Sequence, residues 1–223
     1  MGRNQLGMMV AVTVCLSGGA AWATTYYPEI YFSGDSRGSS GEGDWDVGQF
    51  KGECTVTDPA VGISTPDANT GSNLFAHGME CAHGSMVMNT PTTLQTRSLN
   101  AGVSDRADTA TGTWDSGTNI VMAECAFNAA VVGISEFSNG THWASKILCA
   151  TISSEVDANP NSCHTLTFSL TSDNRRGTGG GDWDNDHSKN QCGDLEILKG
   201  VSANNSTGAL HAILCCASQP HPH

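Results

Sequence analysis

Short apolar or β-branched segments, separated by turn-forming residues, dominate the pattern of this chain. Residues 30–32, 60–64 and 146–149 are such segments, while residues 69–71 (Asn-Thr-Gly) are typical of a turn. No window places apolar residues at helical spacing through three turns. The pattern therefore predicts an all-β protein.

The pattern occurs three times along the chain. Trp45, Trp114 and Trp183 follow one another at an interval of 69 residues (114 − 45 = 69; 183 − 114 = 69). After each Trp come an aspartate, a cysteine, a Gly-Ile/Val-Ser segment and a second cysteine. The Gly-Ile/Val-Ser segments are residues 62–64, 133–135 and 200–202. So many coincident positions indicate an internal repeat, and the predicted units are residues 24–92, 93–161 and 162–223.

The second half of each unit has the pattern of a β-hairpin. The Gly-Ile/Val-Ser segment is the first strand, and the segment that carries the second cysteine is the antiparallel second strand. The glycine inside the first strand indicates a bulge or a close backbone approach. We expect the three units to form one compact β domain around a pseudo-threefold axis. The alternative is three small β beads in tandem.

The first 23 residues have the pattern of a secretory signal peptide. Arg3 supplies a positive start, residues 6–16 are an apolar run, and residues 21–23 (Ala-Trp-Ala) form a small-x-small cleavage site. We therefore expect export to the periplasm or the extracellular space, with residues 24–223 as the mature domain.

The cysteines favour disulfide bonds. One of the nine cysteines, Cys15, lies in the predicted signal peptide, and the remaining even number suits an oxidising compartment. Pairing within each unit predicts Cys54–Cys81, Cys125–Cys149 and Cys192–Cys215, which leaves Cys163 for Cys216. Since Cys215 and Cys216 are adjacent, they could exchange partners.

The charge of the chain limits its partners. The formal net charge is −12, and the sequence contains no basic cluster. Phosphate contacts need Lys and Arg, so nucleic acid is a poor candidate partner. Outside the leader no apolar run approaches the roughly 18 residues of a membrane span, and we expect no membrane insertion.

Known catalytic patterns are missing from the sequence. It has no His-Glu-x-x-His, no Gly-x-Ser-x-Gly and no phosphate-binding glycine loop with its lysine. His77 and His211 stand four residues before the second cysteine of their units, but Ser145 takes this place in the middle unit. A shared catalytic histidine is therefore not favoured, and we expect the protein not to be an enzyme.

Alternating carboxylates in the third unit suggest a metal site. Asp182, Asp184 and Asp186 stand beside His187. Carboxylates at alternate positions suit calcium, whereas imidazoles suit zinc or copper. The hypothesis from the sequence is calcium bound by the three aspartates. Apart from calcium, no cofactor is expected.

Two further elements carry a resemblance to a group of known proteins. Residues 51–54 (Lys-Gly-Glu-Cys) follow the first Trp and its acidic neighbours, and residues 211–215 (His-Ala-Ile-Leu-Cys) end the third unit. In these elements the chain resembles secreted, cysteine-containing repeat proteins of the myxobacterial type. The resemblance implies secretion and internal repetition over nearly the whole mature chain.

The repeated Trp-Asp pairs are the candidate ligand-binding residues. An indole face can stack on the C–H face of a sugar, while a neighbouring carboxylate accepts hydrogen bonds from its hydroxyls. The sequence thus predicts a secreted, multivalent, lectin-like protein that binds glycans or cell-surface polysaccharide. The alternatives are an exported structural or assembly-forming surface protein, which would self-associate, and a calcium-binding extracellular module. The candidate residues are Trp45, Asp46, Trp114, Asp115, Trp183 and Asp184.

Overall fold

The fold is all-β. The computed structural model describes residues 25–26, 30–32, 35–37, 43–66, 74–83, 93–99, 102–107, 110–152, 156–158, 160–170, 173–176 and 182–220. The predicted signal peptide and the predicted turn at residues 69–71 lie outside these residues. In the described part every regular element is a strand, except for one turn of 3₁₀ helix at Pro160–Ser162. The predicted fold class is therefore confirmed.

Seventeen strands are present in these described ranges. In chain order they are β1 (Thr25–Tyr26), β2 (Ile30–Tyr31), β3 (Asp35–Arg37), β4 (Phe50–Glu53), β5 (Ala60–Pro66), β6 (Gly78–His83), β7 (Leu94–Ser98), β8 (Asp105–Arg106), β9 (Ile120–Glu124), β10 (Ala129–Glu136), β11 (Ala144–Thr151), β12 (Val156–Ala158), β13 (His164–Thr167), β14 (Asn174–Arg175), β15 (His187–Gln191), β16 (Glu196–Asn204) and β17 (Leu210–Pro220).

Three antiparallel hairpins organise the fold. They are β5–β6, β10–β11 and β16–β17, which we call the first, second and third hairpins. Strands β5 and β10 are buried along their whole length, and β16 is buried except at its ends. Strands covered on both faces are typically continuous in apolar and β-branched residues, which is the pattern of these segments. The predicted hairpins are confirmed.

Each hairpin belongs to a different sheet. The strand orders are β1-β6-β5-β15-β14 in the first sheet, β3-β4-β10-β11-β7 in the second and β12-β17-β16-β9-β8 in the third. In addition, β2 pairs with β6 and β13 pairs with β17.

A strand from elsewhere in the chain completes each hairpin, in the sense that it pairs with the first hairpin strand as a third strand of the sheet. Strand β4 pairs with β10, β9 pairs with β16, and β15 pairs with β5, all antiparallel. The registers correspond, because the hairpin glycine faces the last residue of the added strand in each case: Gly133 faces Glu53, Gly200 faces Glu124, and Gly62 faces Gln191. Three separate beads in tandem would not share strands, so that alternative is wrong.

The hairpin glycines lie where the pairing is irregular. The register between the two strands of each hairpin shifts immediately before Gly62, Gly133 and Gly200. An extra residue at such a shift bends the strand and increases its twist. The bulge that a glycine inside these strands indicates is therefore present.

The core lies where the first strands of the three hairpins meet. Strands β5, β10 and β16 contact one another. Their residues Ile63, Ile134 and Val201 are fully buried in one apolar cluster. Burying an aliphatic side chain of this size contributes about 1.5–3 kcal/mol, so this shared cluster is a main source of stability.

The four disulfides have the predicted pairing. They are Cys54–Cys81, Cys125–Cys149, Cys163–Cys216 and Cys192–Cys215. Each should stabilise the fold by about 3–4 kcal/mol in the chain-entropy account. Four disulfides also indicate an oxidising compartment.

The first disulfide joins two sheets, rather than the two ends of one hairpin. Cys54 directly follows β4 of the second sheet, while Cys81 lies in β6 of the first sheet. In the same way, Cys125–Cys149 connects the third and second sheets, and Cys192–Cys215 connects the first and third. These covalent bonds therefore hold the three sheets against one another.

No helix in the described part of the chain is long and apolar enough to cross a membrane.

Candidate functional site

The Trp-Asp pairs lie in the segments just before β4, β9 and β15, and in the first and third pairs these segments form tight turns. In the turn before β4, the Gln49 amide donates to the Asp46 carbonyl over 3.1 Å, and Gly48 has a φ of 77°. Before β15, the His187 amide donates to the Asp184 carbonyl over 3.3 Å, and Asp186 has a φ of 64°. A left-handed residue three positions after the Trp thus closes both turns.

Each Trp packs on the glycine of the hairpin that its own segment completes. A Cβ atom at Gly133 would lie 3.1 Å from Cζ2 of Trp45; at Gly200 and Gly62 the corresponding distances are 3.1 Å to Trp114 and 3.0 Å to Trp183. Only a residue without a side chain allows the indole this close to the strand. We call these contacts, with the aspartates beside them, the first joint (Trp45-Asp46), the second joint (Trp114-Asp115) and the third joint (Trp183-Asp184).

The indole N–H groups are bonded inside the protein. Trp45 donates to Glu53 over 2.9 Å, and Trp114 donates to Glu124 over 3.3 Å. In the third joint, Trp183 donates to Gln191 over 3.3 Å. The three Trp residues are half-buried.

The aspartates of the joints are buried. Asp46, Asp115 and Asp184 have exposed fractions of 7%, 6% and 3%. Asp46 accepts hydrogen bonds from the Ser135 hydroxyl and, over 2.8 Å, from the Lys146 ammonium group of the second hairpin. Such a carboxylate has its hydrogen-bonding capacity used within the protein, as buried charges require.

The second joint uses a histidine where the first uses a lysine. Asp115 accepts hydrogen bonds from the Ser202 hydroxyl and the Gly117 amide, and its Oδ2 lies 2.7 Å from Nδ1 of His211. Burial raises the pKa of Asp115, but the hydrogen bonds and the nearby imidazole outweigh this, and the net pKa lies below its usual value.

The third joint has two histidines. Nδ1 of His77 lies 2.9 Å from one carboxylate oxygen of Asp184, and Nδ1 of His187 lies 3.0 Å from the other. The two imidazole rings stack with their centroids 3.7 Å apart and their planes at 9°. Burial raises the pKa of Asp184, but the hydrogen bond to His77 and the two imidazoles lower it to a net value below the usual one.

Buried lysines support the turns of the first and third joints. Lys51, 1% exposed, donates to the carbonyls of Asp46 and Gln49 and forms an ion pair with Asp44. Lys189, 2% exposed, donates to the carbonyls of Asp184 and His187 and forms an ion pair with Asp182 over 2.7 Å.

These lysines were not predicted from the sequence to be functional residues. Lys51 and Lys189 both stand three positions before a cysteine, a spacing visible in the sequence, while Met122 takes this place in the second joint. Lys146 was not predicted either, because an alignment of the units on their cysteines matches His77 and His211 with Ser145. The cationic side chain that bonds Asp46 in the first joint is Lys146, one position after Ser145.

The three aspartates of the predicted calcium site have different surroundings. Asp182 pairs with Lys189, Asp184 faces two histidines, and Asp186 is an exposed turn residue. Calcium binding by this set stays a prediction. The ligand atoms that do lie together belong to His77, Asp184 and His187, all within 4.8 Å of one another.

Comparison with protein-family models, with curated proteins and with solved structures finds no match to this chain.

Proposed function

We propose that this protein is an exported structural protein, a closed three-unit β domain held together by disulfides and by its three joints. The position of the joint aspartates carries this proposal. Each is at least nine-tenths buried and bonded to the hairpin of another unit, so the repeated residues connect units. The four disulfides and the predicted signal peptide support export.

A pseudo-threefold arrangement is part of this proposal. The joints run in a cycle: the first unit completes the second hairpin, the second unit the third hairpin, and the third unit the first hairpin. Bonds near the hairpin ends follow a cycle as well. They run from the Ala76 amide to the Glu136 carboxylate, from the Ala144 amide to the Gly208 carbonyl and from the Leu210 amide to the Leu74 carbonyl. A cycle leaves no unit attached on one side only, which favours a rigid body.

Self-association of such a body would use side-chain surfaces more than strand edges. Of the described edge strands, β1, β3, β8, β12 and β14 are two or three residues long and β7 is five residues long, and short edges limit pairing between molecules. Among the described large apolar side chains, the exposed ones are Tyr31, Val47, Val103 and Leu195.

Replacing each joint Trp by Ala tests the proposal. If the Trp residues hold the units together, each change removes a half-buried ring and costs about 2–4 kcal/mol, which lowers the melting temperature by roughly 5–15 °C. Trp143→Ala is the comparison: Trp143 is a half-buried Trp outside the three joints, and it packs on Gly208 between β16 and β17. Joint variants that melt like the intact protein would refute the structural role.

Carbohydrate binding is the second candidate function. It is favoured by the partial exposure of Trp45, Trp114 and Trp183, since an accessible indole can stack on a sugar ring. Three such rings on one rigid body would gain affinity through avidity. The partners would be glycans or cell-surface polysaccharide.

A glycan array, read alongside the melting temperatures, separates the two candidates. A lectin would bind glycans when intact and lose binding in the Trp→Ala variants while Trp143→Ala retains it. An intact protein that binds no glycan, together with destabilised joint variants, leaves the structural function alone.

A further inference from the structure

The third joint brings together side chains that are distant in the sequence. His77 precedes β6 of the first hairpin, whereas Asp184 and His187 lie in the turn before β15 and at its first residue. We propose that His77, Asp184 and His187 form a binding site for a divalent transition metal, with Zn²⁺ as the best match. This site shares only Asp184 with the calcium site that the sequence suggests.

The arrangement of the ligand atoms suits zinc. Nδ1 of His77 lies 2.9 Å and Nδ1 of His187 lies 3.0 Å from the Asp184 carboxylate, and the ligand atoms all lie within 4.8 Å of one another. Nδ1 of His187 also lies 2.9 Å from the Asn185 carbonyl oxygen, a contact that a metal ion would replace. Ligands at zinc bond lengths of about 2.0–2.1 Å in a tetrahedron are about 3.3 Å apart. The two His–Asp distances are within a few tenths of an ångström of this spacing, so a small rearrangement of the side chains would admit an ion, with water as the fourth ligand.

The types of ligand separate zinc from calcium. Two imidazole nitrogens with one carboxylate suit zinc or copper, whereas calcium takes six to eight oxygen ligands. Asp182 does not add oxygen ligands here, because its carboxylate pairs with Lys189. That ion pair also balances the ammonium charge, which would otherwise oppose a cation near Asp184.

The third joint differs from the other two in the number of imidazoles at its aspartate. Lys146 with Ser135 suffices for Asp46, and His211 with Ser202 for Asp115. Four residues after the Trp, where the third joint has His187, the first joint has Gln49 and the second has Thr118. The Gln49 side chain turns to the Ser138 amide instead. The third joint thus places two imidazoles at its buried carboxylate, where Lys146 pairs with Asp46 in the first joint and His211 with Asp115 in the second.

A second group of ligand-type residues, His164, Glu196 and Cys215, is a weaker candidate. The sulfur of Cys215 is bonded to Cys192, so it is not a thiolate and cannot bind zinc as one.

The consequence of zinc binding would be a metal bridge between the first and third units. A ligand that binds only the folded protein stabilises it by mass action. The inference does not depend on the proposed structural function, because it concerns the ligand set of one joint.

Zinc titration of the full mature protein, with all disulfides intact, tests the site. Isothermal titration with ZnCl₂ should show one strong site per chain, and saturating zinc should raise the melting temperature. Co²⁺ in place of Zn²⁺ should give the visible absorption of a tetrahedral site. The variant His187→Gln, which installs the residue of the first joint, should weaken zinc binding at least tenfold and abolish both the shift and the cobalt spectrum.

The matched control is His211→Gln, which removes the histidine of the second joint and should leave zinc binding at the third unchanged. Both variants keep the terminal histidines, so binding by these residues is common to both. His77→Gln is a second variant in case His187→Gln fails to fold, and melting in EDTA establishes folding. The proposal is overturned if the intact protein binds no zinc at about 1 mM, if His187→Gln and His77→Gln bind it like the intact protein, or if only calcium produces heat.

Discussion

The second and third joints have the same Trp, glycine and aspartate arrangement but differ in the side chains that stabilise the buried aspartate. In both, a Trp packs on a hairpin glycine and the following aspartate is buried against that hairpin. Among the described residues, His211 is the imidazole that contacts Asp115, whereas His77 and His187 share Asp184. The comparison teaches that packing determines where the carboxylate lies, while its cationic partner can change from joint to joint.

Among the changes that compare these two joints, the largest expected effect comes from a side chain placed under the Trp. In Gly200→Ala the new Cβ would lie 2.8 Å from the Ala123 carbonyl oxygen and 3.1 Å from Trp114. Backbone cannot move aside as a side chain does, so we expect a loss of about 2–3 kcal/mol in unfolding free energy. Denaturant unfolding measures it.

The third joint provides the comparison for this change. In Gly62→Ala the Cβ would lie 3.0 Å from Trp183 and 3.3 Å from the Asn190 carbonyl oxygen, and about 1–2 kcal/mol is expected. Gly43→Ala, which meets nothing within 4 Å, should be nearly neutral. Equal losses at all three glycines would contradict the packing account.

Removing one imidazole from each joint should show which aspartate depends on it. His211→Ala leaves Asp115 with Ser202 and Gly117, and a buried acceptor that loses a partner costs about 1–3 kcal/mol. His187→Ala leaves Asp184 its contact with His77, so we expect less than about 1 kcal/mol. Unfolding in EDTA measures both without metal. A larger loss for His187→Ala would reverse the comparison.

Acid should weaken both joints through their aspartates. Because the folded-state pKa of Asp115 is lowered, its contribution to stability is present above its unfolded-state pKa, near 3.9, and is lost as the pH falls through the folded value. The folded-state pKa of Asp184 is also lowered, so its contribution to stability is lost in acid in the same way. Asp115→Asn should therefore be less sensitive to pH below about 4 than the parent protein in denaturant unfolding. An acid dependence identical to the parent's would show that Asp115 does not contribute to it.

A smaller effect of opposite sign is expected at Glu136, outside the joints. Burial raises the pKa of this carboxyl well above its usual value, and only the Ala76 amide acts against the rise. Its contribution is therefore most favourable below the unfolded-state pKa, near 4.3, and diminishes as the pH rises through the folded value. Glu136→Gln keeps an acceptor for Ala76 and should gain about 1 kcal/mol at pH 7. A loss at pH 7 would indicate that the ionised form is stabilised, for example by His142, whose Nδ1 lies 3.8 Å away.

Much of the local structure was predictable because its causes are local. Alternation of apolar segments with turn residues indicated strands, and the glycine within each hairpin strand marked an irregular pairing that the registers contain. The 69-residue interval reduced the disulfide question to pairs within units, and the pairing agrees. That these bonds join different sheets could not be predicted from the sequence. Cys54 follows a strand of the second sheet, whereas Cys81 lies in a strand of the first sheet.

The candidate site was only partly predictable. The sequence located the Trp-Asp pairs, but not that the aspartates are buried, since burial depends on which surface covers a residue. It placed His187 beside Asp184 but gave no reason to bring in His77, which is 107 residues from Asp184. Aligning the units on their cysteines hid Lys146, because its side chain reaches Asp46 from one position later.

Residue type and spacing predicted the all-β class, the hairpin strands, the cysteine pairs within the proposed units and the repeated Trp, Asp, Gly and Ser positions, while leaving open an exchange between Cys215 and Cys216. Only the tertiary structure decided that β4, β9 and β15 each complete the hairpin of another unit. The physical reason is that the units are alike: a short strand such as β4 has no local feature to distinguish its own hairpin from the next. Burial of the shared core and the contact of each Trp with a glycine of another unit select the pairing.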